Sequence, residues 1–395
     1  MPECWFPAFE DRLMKIALPD PNGKLADYTL KGSPIEAIPL GPDPARIVFS
    51  AAHVVADPFS AANPSGAGVV DWQSTMAFRR HLADLGLGIA EAMDTAQRGM
   101  GLDWPGALEL IRRTQEEVPD ALVFNGCGTD QLVLSDALTL DDVLAAYLEQ
   151  VEAIQRVGGR LIIMASRALA RVAASPEDYL RVYSNVLSAC DKPVILHWLG
   201  EMFDPELAGY WGGDSFETAM AIALEVIEAN TAKIDGIKIS LLDKDKEILM
   251  RRQLPAGVKM YTGDDFNYPE LIAGDDTGVS HALLGIFDPL AVAVGKAVGQ
   301  LGAGDAEGFR ATLDPTVPLA RLIFRSPTQY YKTGVVFLAW LNGFQEHFVM
   351  LGGAQSMRPL PYFVDCFKLA EQNGLLRDPD LAVKRMKAFL TLYGL

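Results

Sequence analysis

The chain is poor in the residues that mark disulfide, zinc and nucleotide-binding proteins. Its four cysteines, Cys4, Cys127, Cys190 and Cys366, stand far apart, with no C-x-x-C pair and no zinc-ligand spacing. That pattern points to reduced thiols in a reducing compartment. The five histidines contain no H-x-H pair. No G-x-G-x-x-G follows a first strand and no Walker loop is present, so the sequence signals of dinucleotide and P-loop binding are missing. Basic residues number 34 against 51 acidic ones, for a net charge of −17. Such a surface repels phosphate backbones and anionic lipid, which makes nucleic acid and membranes poor partners. No apolar run reaches the roughly 18 to 20 residues of a membrane helix. The N-terminal stretch MPECWFPAFEDRLMKIALPD carries acids early and lacks a charged-then-apolar signal pattern. The expectation is a soluble, cytoplasmic protein.

What is present is a regular rhythm. Half of the 395 residues are apolar, enough for a large core. Residues 1–44 are rich in Pro, Gly and Asp, without helical period, and read as an N-terminal extension with room for short strands. From Arg46 short apolar segments alternate with amphipathic ones. The strand candidates are 46–52, 87–93, 121–126, 160–166, 193–198, 236–240, 258–263 and 278–284. Most are continuous apolar runs, as strands covered on both faces should be. Between them lie helical patterns such as STMAFRRHLADLG and TLDDVLAAYLEQVEAIQRVG. Eight β–α alternations predict a parallel, closed (β/α)₈ TIM barrel over residues 45–300. Residues 301–395 are mostly helical and read as an appendage that caps the barrel or builds an oligomer contact.

In such barrels chemistry sits at the C-terminal ends of the strands. Reading along the chain, those ends carry His53 and Asp57, Glu91 and Asp94, Asn125, His197 and Glu201, Lys238, Asp264 and Asp265, and Ser280 with His281. Lys238 is the sharpest signal. Alternation in GIKIS puts Gly236, Lys238 and Ser240 on one face and two isoleucines on the other, so the lysine points into the barrel. A desolvated amine loses part of its preference for the charged form and can attack a carbonyl. The alternative is an interior lysine neutralised by Glu91, Asp94 or Asp265.

The segment KIDGIKIS, then YTGDDF, then GVSHALLGIFDP resembles the second half of the dihydrodipicolinate synthase and N-acetylneuraminate lyase superfamily. The likeness extends in element order over roughly residues 46–300 and is to a divergent branch. It implies that Lys238 is a Schiff-base lysine, that Gly263 and Asp265 form a seventh-strand substrate loop, and that Ser280 is the eighth-strand position. Two departures stand out. The family's fifth strand ends in a proton-relaying tyrosine, where this chain has His197. Histidine does general acid–base work near neutral pH; the bland alternative is a core histidine bonded to a backbone carbonyl. The family's G-T-T-G-E, which holds the α-carboxylate of pyruvate, is here Met93-Asp94-Thr95-Ala96-Gln97. An ionised Asp94 repels a substrate carboxylate. Either Arg98 compensates, or the substrate lacks that carboxylate, or Asp94 only caps a helix.

The function expected is a Schiff-base lyase or aldolase, breaking a C–C or C–O bond of a small keto sugar or keto acid. Lys238 and His197 are its catalytic residues. Asp94, Thr95, Asn125, Gly263, Asp265, Ser280, His281 and His53 contact substrate. The chemistry calls for no cofactor and no metal, and the family habit is a homo-oligomer, dimer or tetramer. Two rival classes remain. A metal-dependent hydrolase or isomerase would gather His53, His197, His281, Glu91, Asp94 and Asp265 around Zn²⁺ or Mn²⁺. A non-catalytic ligand-binding barrel would have discarded the family's tyrosine and threonine. The loop ANPSGAG (62–68) has the composition of a lid over the site.

Overall fold

The computed structural model describes residues 14–60 and 66–395, so Cys4 and most of the expected lid loop lie outside the described residues. A hairpin comes first, β1 (Lys15–Pro19) pairing antiparallel with β2 (Leu25–Thr29). Eight further strands follow: β3 (Val48–Ala51), β4 (Gly88–Glu91), β5 (Val123–Cys127), β6 (Arg160–Ile163), β7 (Val194–Leu199), β8 (Ile234–Ser240), β9 (Lys259–Thr262) and β10 (His281–Leu284). They pair in parallel and in sequence order, and β10 returns to β3 to close the barrel. Each of the eight expected strands is present, and helices cover the outside.

The short apolar runs become barrel strands because every second side chain finds a different apolar partner. Phe49, Phe124, Ile162, Ile195, Tyr261 and Leu283 fill the barrel interior as one cluster. Phe49 sets its ring edge against Phe124 and Tyr261, with centroids 5.4 and 5.8 Å apart. Their neighbours Val48, Ile89, Leu161, Val194, Ile237, Ile239 and Leu284 point the other way, into the clusters beneath the helices. Gly236 makes this filling possible, since a Cβ there would sit 2.7 Å from the Tyr261 ring.

The helices start where a side chain can take the first free amides. Thr139 and Asp142 form a capping box for the helix Leu140–Arg156, and Asp71 and Asp103 cap the helices Trp72–Asp84 and Trp104–Glu117. Among the described residues no helix is long and apolar enough to cross a membrane.

The C-terminal region is not loosely appended. Phe309, Leu319, Ile323, Phe324, Val335, Phe337, Tyr362 and Phe367 belong to the same buried cluster as Val48, Ile89 and Leu284 of the barrel. The helix Tyr331–Leu341 is buried on all sides, so its first residues are fixed against the rest of the molecule. Those residues are Tyr331 and Lys332, and they stand at the barrel mouth.

Candidate active site

Lys238 lies in β8 opposite His197 of β7 and Tyr261 of β9. Its face of the strand is the interior one, while Ile237 and Ile239 pack under the helices. The side chain is 7% exposed and opens into a small cavity bounded by Asp94, Thr95, Ser240, Asp265, Phe324 and Tyr331. It makes no hydrogen bond or ion pair with the described residues. Burial pushes the Lys238 amine below the usual lysine range, against the pull of the Asp265 and Asp94 carboxylates. The same burial pushes Asp265 up to about 7, opposed by the backbone N–H of Ile286, which donates to Asp265 Oδ1 at 3.0 Å, and by Lys238. Burial thus favours a neutral pair, an amine with a lone pair beside a carboxyl with a proton, while the mutual attraction of the two groups opposes it.

Asp94 and Thr95 sit in a tight turn after β4, and the way that turn is held explains their position. Ala92 adopts a left-handed φ of 52°, uncommon for a residue with a side chain. Glu91 takes the Ala92 amide at 2.7 Å and anchors outward on Arg79 and Thr114. Arg98 grips the other side, donating to the carbonyls of Ala92 and Gly126, to both oxygens of Asp130 and to Gln150. All five of its N–H groups are thereby used, and none is left for a substrate carboxylate. Asp94 caps no helix with its side chain. It borders the Lys238 cavity and two larger ones beside it, of about 210 and 250 Å³. Thr95 Oγ1 lies 2.8 Å from the Tyr331 hydroxyl, whose ring stacks on Phe324 at 4.3 Å.

His197 is buried, with Nε2 3.2 Å from Ser240 Oγ and Nδ1 without a partner among the described residues. Burial, with Lys238 adding, holds it well below the ordinary histidine range, so it is a neutral imidazole. It borders the 210 Å³ cavity. Gly263 ends β9 so close to β8 that a Cβ would fall 2.3 Å from Ser240 Oγ, and only glycine fits there.

The structure thus gathers Lys238, His197, Asp94, Thr95, Gly263 and Asp265, and it places four other expected residues elsewhere. Asn125 faces the helices and donates to the Arg160 carbonyl, because Phe124 and Gly126 take the inward positions of β5. His53 lies past the end of β3 beneath the helices, with Nδ1 2.7 Å from Asp288 and its ring against Phe78. His281 begins β10 instead of ending it; it accepts from the Ile47 amide at the opposite end of the barrel. Ser280 precedes it and donates to Glu247. Glu91 is likewise turned outward, so the six suggested metal ligands do not converge. Among the described residues no three His, Cys, Asp or Glu side chains could hold a metal ion. Cys127 is fully buried and faces outward beneath the helix Leu140–Arg156. Tyr331 and Lys332 were not foreseen; the one signal for them is the polar cluster Tyr330-Tyr331-Lys332-Thr333 opening an otherwise apolar helix.

A family model described as protein of unknown function (DUF993) matches residues 16–395, and the chain belongs to that family. No curated protein matches it. Solved structures share its fold. YagE, described as a prophage protein of the dihydrodipicolinic acid synthase family from E. coli K12 in complex with pyruvate, superposes with a TM-score of 0.65 at 13% identity, covering 84% of this chain and 99% of YagE. The dihydrodipicolinate synthase from Aquifex aeolicus gives 0.63 at 13% identity, covering 84% and 99%. That from Thermotoga maritima gives 0.60 at 17%, covering 84% and 99%. The fold is the one the sequence resemblance implied.

Proposed function

We propose that this member of the DUF993 family, built on the dihydrodipicolinate synthase fold, is a Schiff-base lyase or aldolase acting on a small keto compound. One observation carries the reading: Lys238 is buried, unpaired and aimed into the mouth cavity beside Asp265. The neutral amine adds to the substrate carbonyl to give a carbinolamine. The Asp265 carboxyl gives its proton to the departing hydroxyl, water leaves, and an iminium remains. The electron pair of the bond that breaks next flows into that iminium and yields an enamine. His197, neutral and with a free ring nitrogen, moves the proton, and hydrolysis of the reprotonated iminium frees the lysine.

The family's fifth-strand tyrosine has no equivalent in β7, yet a tyrosine hydroxyl does reach Thr95. It belongs to Tyr331, brought in from the C-terminal helix. Thr95 and Tyr331 supply a second hydroxyl pair for proton transfer at the same cavity. Asp94, uncompensated by Arg98, supports a substrate with hydroxyls rather than a carboxylate next to its carbonyl, such as a keto sugar. A homo-oligomer, dimer or tetramer, is part of the proposal and is measured by light scattering.

Enamine formation has a direct readout. Incubated in D₂O with a panel of keto sugars and keto acids, the protein should exchange the α-protons of at least one compound, seen by NMR. A Lys238→Ala variant should not. Equal exchange by both proteins would refute the lysine mechanism.

A further inference from the structure

The 250 Å³ cavity beside the Lys238 site has cations in it that the chemistry above does not use. Lys332 lines it from the start of the helix Tyr331–Leu341, and Arg167 from the start of the short helix Arg167–Val172 that follows β6. Lys332 is 5% exposed, yet its ammonium finds one oxygen, the Gln329 carbonyl at 3.0 Å, beside Met100 Sδ at 3.5 Å and the face of the Tyr331 ring, whose centroid is 4.7 Å away. A protonated lysine has three N–H groups to satisfy, and a buried ammonium short of acceptors is costly. Arg167 uses only Nε, donating to Asp204 at 2.5 Å; its two Nη groups make no hydrogen bond to the described residues. No side chain caps the helix that carries Lys332, so the positive end of its dipole adds to the same field.

We propose that this cavity is a subsite for an oxyanion, the carboxylate or phosphate at the far end of the carbonyl substrate. The assignment deepens the lysine reading and rests on it for the word substrate, but the anion site stands on its own geometry. The two cavities share Asp94 and Tyr331, so one molecule spans them: its carbonyl at Lys238, its hydroxyls past Asp94, its anionic end at Lys332 and Arg167. Asp94 and Asp204 also face the cavity. Asp204 is already engaged by Arg167, and Asp94 lies on the side towards Lys238, which fixes the orientation of the substrate. The volume is on the order of eight waters, ample for a phosphate and its neighbouring carbons. In a chain of net charge −17, a buried lysine with a single oxygen acceptor beside a half-exposed arginine whose Nη groups are open to the cavity is a local exception.

The test is calorimetric titration of inorganic phosphate and of acetate into the wild type and into Lys238→Ala, Lys332→Met and Arg167→Ala. One anion should bind wild type and Lys238→Ala alike, and binding should weaken about tenfold or more in each of the other two variants. Tighter phosphate assigns a phosphorylated substrate, tighter acetate an acid. No binding of either anion, or equal binding by all four proteins, would overturn the subsite. Borohydride trapping with dihydroxyacetone and its phosphate separates the two proposals. Anion binding that depends on Lys332 without any trapped adduct removes the lyase reading and leaves the subsite. Adducts that form at Lys238 without anion binding do the reverse.

Discussion

At the scale of single residues, burial acts in opposite directions on an amine and a carboxyl, Lys238 and Asp265. Lys238 attacks only when deprotonated, so the rate of adduct formation should rise with pH and level off below 10.5, the ordinary lysine value. Asp265 raises the lysine pKa and supplies a proton. Replacing it with asparagine should move the rise to lower pH and lower the plateau by roughly 100-fold. An unmoved profile would mean that the two groups do not interact. Lys332 offers a second check, through stability. Burial pushes it down to about 8 from 10.5. Below pH 8 the group is charged in both folded and unfolded states, and the folded state bears the whole desolvation cost. Between about 8 and 10.5 the folded state binds fewer protons than the unfolded, so the cost fades as pH rises. Lys332→Met should therefore stabilise the protein at pH 7 by roughly 3 kcal/mol, read from denaturant unfolding, with the gain gone above pH 10.5. A destabilised variant would show that the ammonium is well paired. Lys238 was legible in the sequence because strand alternation fixes which face a residue occupies, and His197 and Asp265 because they stand at the ends of apolar runs. Asn125 and His281 misled for the same reason: one has the outward parity, and the other is at the starting end of its strand.

Among elements, the turn after β4 is the one that most shapes the site. Arg98, Glu91 and the left-handed Ala92 hold Asp94 and Thr95 between cavities, and the contacts that anchor Arg98 to the next strand and helix are too distant in sequence to be foreseen. Arg98 alone reaches Asp130 and Gln150, 32 and 52 residues away. The N-terminal hairpin is fastened in a comparable way. Glu371 accepts from the backbone N–H groups of Lys31 and Gly32, each at 2.5 Å, and from the Tyr28 hydroxyl at 2.6 Å. Hydrogen bonds to a charged group contribute about 1.5–3 kcal/mol each. In Glu371→Ala the amides of β1 and β2 should exchange with deuterium at least about tenfold faster, while β3–β10 keep their protection. Unchanged exchange in the hairpin would show that Ile16, Leu18 and Leu30, buried in the main core, hold it unaided.

Over the whole molecule, the barrel and its C-terminal helices share one core and one site. The eight strands were legible because an apolar run between turns has few other structures available to it. The helical character of residues 301–395 was legible too. Their contribution to the site was not, because Tyr331 and Lys332 follow the last strand by more than forty residues, and only the packed core decides where they arrive. Removing residues 306–395 would take away Phe309, Ile323 and Phe337 and expose the residues that share their core, such as Leu290 and Val294. The truncated chain should lose its cooperative thermal transition by circular dichroism; a sharp transition would mark the barrel as an independent unit. The central claim, that Lys238 is the nucleophile, is tested most directly by borohydride reduction in the presence of the keto compounds, with intact-mass spectrometry and peptide mapping. One adduct per chain, located on Lys238 and absent from Lys238→Ala, is the predicted result. Adducts on surface lysines alone, unchanged in the variant, would contradict it.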